Sequence, residues 1–347
     1  MIDRIVQAVL YEGYVLYPYR QSSVKNRHRW TFGGIYPKAY SEATGGSDPF
    51  RMQAQFLIAE SQDPAFQLTI RFLHPTNRTT LPEGQTWQEA VERKIEIESV
   101  RAADLVAAPL IREFAFPELR TTEPRPDAAG SVLREQHAIA GAISLSAERK
   151  SAEVFRITIV VENRTETSTS SSADRDVASL QSFASTHMIL TASAGQFVSL
   201  TDPPAPLAAV AGQCENIGCW PVLVGQPGER TTLLASPIIL SDYPEVAAES
   251  PGDLFDATEI DEILSLRIMT LTEDEKRQAA ATDDRVRAML ARTDALARDQ
   301  LMSLHGTIRG MTPVRSGSHP FSGAACGPSV SVASGPEATS REEQRHA

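Results

Sequence analysis

Two strand-like runs constrain this chain more than any other feature, and the first of them alternates cleanly between apolar and polar residues. In residues 66–73, Phe-Gln-Leu-Thr-Ile-Arg-Phe-Leu, one side carries Phe66, Leu68, Ile70 and Phe72. In residues 154–162, Val-Phe-Arg-Ile-Thr-Ile-Val-Val-Glu, β-branched and aromatic residues dominate. A period of two is that of a strand with one face buried, whereas a helix would scatter the same residues around its axis. The chain must therefore build sheet, and antiparallel sheet is the form that tolerates one polar face.

Other segments extend the pattern. Residues 52–59 alternate as a strand, residues 139–147 pair naturally with 154–162, and 185–201 return to strand, ending at Asp202-Pro203-Pro204. Pro64 and Pro75 bound the 66–73 run, and Pro237 argues against a central strand within 232–240. Residues 5–20 read as a strand, a bend at Gly13 and a second strand near Pro18, and Trp30–Pro37 reads as an aromatic strand ending in a turn. Residues 86–107 mix helix formers with β-branched positions and support either element. Residues 121–130, rich in Pro, Asp and Gly, read as a linker or long loop. A helix is expected at 174–182.

Beyond residue 257 the pattern changes to helical. Thr258 suits an N-cap before Ile260, Ile263, Leu264 and Ile268, which follow helical spacing. Thr272 and Glu275 have the spacing of a capping box. Val286, Met289, Leu290 and Leu296 continue the helical pattern to about Gly306. From residue 310 onward Ser, Gly, Pro and Ala dominate, a composition too poor in apolar surface to offset chain ordering, so a disordered tail is expected. The expected fold class is α+β: a β-rich, mostly antiparallel, sandwich-like body with a C-terminal helical segment. The expected regions are 1–120 and 131–257, both β-rich and either separate or one domain, then 258–309, helical, and 310–347, the tail.

The chain of 347 residues is 41% apolar and carries a net charge of −11. A general nucleic-acid binder needs a basic footprint, which this balance does not supply. No apolar run approaches the length of a membrane span. The start, Met1-Ile-Asp-Arg-Ile-Val, lacks the plan of a signal peptide, and three cysteines do not make a disulfide framework, so a cytoplasmic location is expected. Phosphate-loop, dinucleotide, zinc-protease and nucleophile-elbow motifs are absent, and no motif requires a cofactor.

Three constellations could carry chemistry. The first is a basic, aromatic loop: Tyr17, Tyr19, Arg20, Lys25, Asn26, Arg27, Arg29 and Trp30. Guanidinium groups bind carboxylate or phosphate in a fork, so this loop suits an acidic partner surface or a small anion; a solvated connection is the plainer reading. The second is Cys214 and Cys219 with His187, thiol and imidazole groups of the kind that zinc, nickel or iron would use; two small half-buried turn residues are the plainer reading. The third is the acidic run Glu249–Glu262, in which Asp253, Asp256 and Glu259 could hold a hard cation, while Asp261 and Glu262 suit the first turn of a helix. His305 beside Gly306 is explained by helix-end capping.

Several segments together, Val15–Arg20, Lys25–Trp30, Cys214-Glu-Asn-Ile-Gly-Cys-Trp-Pro-Val-Leu-Val, Ser236–Leu240 and Glu249–Glu262, resemble an uncharacterised family encoded beside bacterial [NiFe]-hydrogenase structural and maturation genes. The resemblance spans roughly residues 5–309 and brings no assigned active site. It implies an accessory role in assembling, maturing or stabilising a hydrogenase by protein binding, with a hydrogenase subunit or maturation factor as partner. The alternative is a metal-handling or metal-dependent enzyme built on the cysteines and His187 or on the 253–262 carboxylates.

Overall fold

The computed structural model describes residues 33–125, 130–167, 174–245 and 271–280, with residues 5–7, 10, 287, 290, 291, 294 and 295. All of them belong to one compact unit, Met1–Gly306. Residues 307–347, and with them the expected tail, lie outside the described residues. So do the helix expected from Thr258 and residues 11–32.

In chain order the elements are α1 (Lys38–Ala43), β1 (Arg51–Ala59), β2 (Ala65–Leu81), β3 (Gln85–Arg101), α2 (Ala102–Ala107), β4 (Leu110–Phe116), β5 (Leu119–Pro124), β6 (Ser131–Gln136), β7 (Ile139–Arg149), β8 (Val154–Asn163), α3 (Arg175–Leu180), β9 (Ala184–Ala194), β10 (Gln196–Phe197), α4 (Ala208–Ala211), β11 (Trp220–Leu223), β12 (Thr232–Ser236) and α5 (Glu273–Ala280). Every strand pairing among them is antiparallel. One sheet has five strands in the order β10-β1-β8-β7-β4. The other has seven, β11-β12-β9-β2-β6-β5, with β3 along the remaining edge of β2.

The inward faces of the two sheets form one core. Met52, Ala54, Phe56 and Ile58 of β1 and Phe155, Ile157, Ile159 and Val161 of β8 meet Phe66, Leu68, Ile70 and Phe72 of β2 and Met188 and Leu190 of β9. β8 alternates between buried and half-buried positions along its whole length, as its sequence period requires. Each such large side chain, removed from water, contributes roughly 1.5–3 kcal/mol. Strands from before and after residue 125 share both sheets, so a single core serves the whole body.

Thr232–Ser236 is β12, a central strand paired with β11 on one edge and β9 on the other, against the expectation drawn from Pro237, which falls just past the strand's end. The structure departs from the sequence reading in four further places. Residues 5–7 and 10 are helical rather than extended. Ile5, Val6 and Leu10 are buried, and the first two pack on Val222, Val224 and Leu234 on the outer face of the larger sheet. Tertiary packing of one apolar stripe overrides the β-branched propensity there. Second, β2 does not stop at Pro75 but runs 17 residues to Leu81. On the edge away from β3, β2 pairs with β9 as far as Leu73↔Ala184 and with β6 from Asn77↔Glu135 onward. Pro75 falls between the two, where that edge has no ladder for a missing N–H to break. Third, residues 119–136, partly read as a linker, are mostly strand: β5 and β6 pair from Leu119↔Gln136 to Pro124↔Ser131. Fourth, within 33–37 only Ile35 makes a strand-like contact, a bridge to Phe183.

The ambiguous 86–107 region resolves into β3 followed by α2. The helix expected at 174–182 is α3, capped by Asp174, whose carboxylate accepts from the Asp176 and Val177 amides at 2.9 and 3.4 Å. The capping box also forms: Thr272 Oγ1 accepts from the Glu275 amide at 3.2 Å, and Glu275 accepts from the Thr272 amide at 3.0 Å. No helix among the described residues is long and apolar enough to cross a membrane.

Candidate interaction surface

Of the residues that the sequence nominated, Tyr17, Tyr19, Arg20, Lys25, Asn26, Arg27, Arg29 and Trp30 lie outside the described residues, as do Asp253, Asp256, Glu259 and His305. Cys214, Cys219 and His187 are described. Cys219 is fully buried in the central core and donates to the Gln53 carbonyl at 3.2 Å. Burial pushes its thiol up to about 12. Cys214 is half-buried just beyond α4 and packs on the Leu57–Ala59 side of β1, and burial raises its thiol too. Metal ligation needs the thiolate, which both environments disfavour.

His187 alternates along β9 with Met188 and Leu190, which line the core, so its ring lies on the opposite face of that sheet. Its Nδ1 stands 2.9 Å from the Ser185 carbonyl and is therefore the protonated nitrogen, while Nε2 is buried without a partner. Burial, helped by the charge of Arg71, pushes its pKa down to about 4, so the ring is neutral. Among the described residues no three His, Cys, Asp or Glu side chains come together as a metal-binding group.

What the fold does assemble is an open side of the sandwich. Among the described residues β4 is the outermost strand of the five-stranded sheet and pairs with β7 alone, from Leu110↔Leu145 to Phe116↔Ile139. Among the same residues β3 pairs with β2 alone, along Gln85–Arg101 except at a bulge at Glu98 and Ser99. The two edges lie on the same side, because Phe114 and Phe116 of β4 reach Phe72 of β2 with centroid separations of 6.0 and 6.2 Å, and Arg93 of β3 stacks on Phe116 at 4.4 Å.

The two edges are protected unequally. β3 carries Glu92, Lys94, Glu96 and Glu98 on alternate positions, the kind of charge that discourages strand addition. β4 begins with apolar residues in water: Leu110 is 39% exposed and Ile111 59%, and Val106 of the preceding α2 is 45% exposed. A strand with one unpaired row of backbone groups and apolar side chains beside it is a template for another chain. The sequence reading assigned no element to 110–116; Pro109 and Pro117, which bracket β4, are the signal that could have found it, although nothing in its own residues marks it as an edge.

A second feature lies at the end of β8. An open cleft of about 750 Å³ is lined by Lys38, Glu42, Phe50, Glu162, Arg164 and Glu166, among others. Its frame is Asn163, whose amide donates to the carbonyls of Ile35 and Gln181, both at 2.8 Å, and accepts from the Thr165 amide at 2.9 Å. Beside it Arg175 forks onto Asp48 at 3.2 and 3.3 Å, and Tyr40 donates to the same carboxylate at 2.9 Å. The shared Asp48 carboxylate thus ties Arg175 of α3 to Tyr40 of α1. Within the cleft Lys38 pairs with Glu42 at 3.7 Å and Arg164 with Glu162 at 3.1 Å.

No protein-family model matches the chain, and no curated protein matches it.

Proposed function

We propose that this chain is a non-enzymatic accessory protein that binds a partner protein through the open β4 edge, in the cytoplasm, and that the partner is a hydrogenase subunit or maturation factor. The observation that carries the binding reading is β4 itself, seven residues hydrogen-bonded on one side and flanked by the exposed Val106, Leu110 and Ile111. An extended partner segment would complete its backbone ladder, and the apolar trio would supply contact area. The hydrogenase context is supported by the sequence resemblance of the segments at 15–30, 214–224, 236–240 and 249–262.

The test is affinity capture of the tagged chain from a host carrying the hydrogenase genes, with wild type and Ile111→Glu compared by mass spectrometry. Retention of a hydrogenase subunit or maturation factor by wild type and its loss in the variant is the expected result. Recovery of the chain alone, with normal hydrogenase activity in a deletion strain, would defeat the proposal.

A further inference from the structure

The arginines of the larger sheet and its margins are matched to carboxylates with one exception. Arg71 meets Glu92 at 2.9 Å, Arg78 meets Glu89 at 3.2 Å, Arg134 meets Glu89 and Glu123 at 2.8 and 2.7 Å, and Arg120 meets Glu135 at 3.4 Å. Arg101 pairs with Asp63. Arg93 has no carboxylate partner among the described residues. Its Nη2 donates to Gln136 Oε1 at 2.6 Å, its plane lies over Phe116 at 4.4 Å, and its Nε is buried with no acceptor.

The neighbouring imidazole ring brings no counter-charge. His74 is fully buried, and neither of its ring nitrogens makes a hydrogen bond. Burial and the charge of Arg93 both hold its proton affinity down, and the nearby His137 backbone partly opposes them. Gln136 is fixed by donating to Thr76 Oγ1 at 3.1 Å, which keeps its carbonyl oxygen on Arg93 and the guanidinium in one orientation. A guanidinium has five donors, and here one amide oxygen satisfies only part of them. A partly buried cation without a counter-charge is costly, and an oxyanion in the fork would remove that cost.

We infer that Arg93, flanked by His74 and His137 at the β3 edge, is a binding site for a small oxyanion that presents a phosphate or carboxylate group. The inference is independent of partner docking at β4 and stands or falls separately.

Thermal denaturation of the full chain is measured in sodium phosphate and, separately, sodium malonate, each against sodium chloride at equal ionic strength. At least one oxyanion should raise the transition saturably beyond chloride. A response to phosphate alone assigns a phosphoryl ligand, and one to malonate alone a carboxylate. Arg93→Lys keeps the charge but loses the fork and should weaken binding by about tenfold. Arg93→Met should abolish the response. His137→Gln, at a half-exposed position, should fold normally and weaken the response several-fold. If neither oxyanion exceeds chloride, or if folded Arg93→Met or His137→Gln responds as wild type does, the inference is wrong.

Discussion

Phe114 of β4 and Gly141 of β7 are register partners, and the ring of Phe114 occupies the space that a side chain on Gly141 would need. A Cβ there would overlap that ring and stand 2.8 Å from the Glu162 carbonyl and 2.9 Å from the Phe183 ring. The absence of a side chain lets Phe114 settle on Phe183, with centroids 5.4 Å apart, and this anchors β4 to the sandwich by its inward face. Gly141→Ala should therefore destabilise the protein by about 2–3 kcal/mol through overpacking. Urea unfolding should show a lower midpoint at unchanged slope; a midpoint equal to wild type would mean that β4 is not held in this way.

The outward face of the same strand should behave oppositely. Ile111 is mostly in water, so Ile111→Glu should change stability by no more than about 0.5 kcal/mol. If β4 is the docking edge, the variant loses its captured partner while its melting transition is unmoved. Loss of both together would point to a structural role for Ile111.

Asn163 is 1% exposed and ties three chain segments through its side chain. Asn163→Ala leaves the Ile35 and Gln181 carbonyls and the Thr165 amide without this partner. The expected loss is about 3 kcal/mol, since unsatisfied buried groups carry their full desolvation cost. Calorimetry of the variant reads this directly, and a loss below about 1 kcal/mol would show that water replaces the amide.

His74 and His187 make stability depend on pH. Burial lowers both imidazoles from 6.5 to about 4. Above pH 6.5 both states are neutral and there is no effect. Between pH 6.5 and 4 the unfolded chain binds protons that the folded chain does not, so stability falls with falling pH. At pH 5 the loss is about 2 kcal/mol per imidazole. Denaturant curves for wild type and His187→Gln at pH 7 and pH 5 should show a smaller drop in the variant; equal drops would place the titration elsewhere.

At the start of α5, Thr272→Ala removes one half of the capping box. Removal of an N-cap costs a helix about 1 kcal/mol. Amide exchange across 273–280 should accelerate while β8 remains protected. Uniform protection across both would refute the cap's local role.

Local pattern determined a great deal. β1, β7, β8 and the first half of β2 follow from a two-residue period because a half-buried sheet surface demands it, and the caps of α3 and α5 follow from residues within one helical turn. The rest depended on neighbours far along the chain. Ile5 and Val6 become helical because an apolar patch on the outer face of a sheet receives them, and Pro75 continues a strand because two other strands happen to leave a gap beside it. The exposed edge of β4 and the uncompensated charge of Arg93 are likewise relations between surfaces. Neither can be read from a single segment, since exposure and charge pairing are properties of what packs alongside.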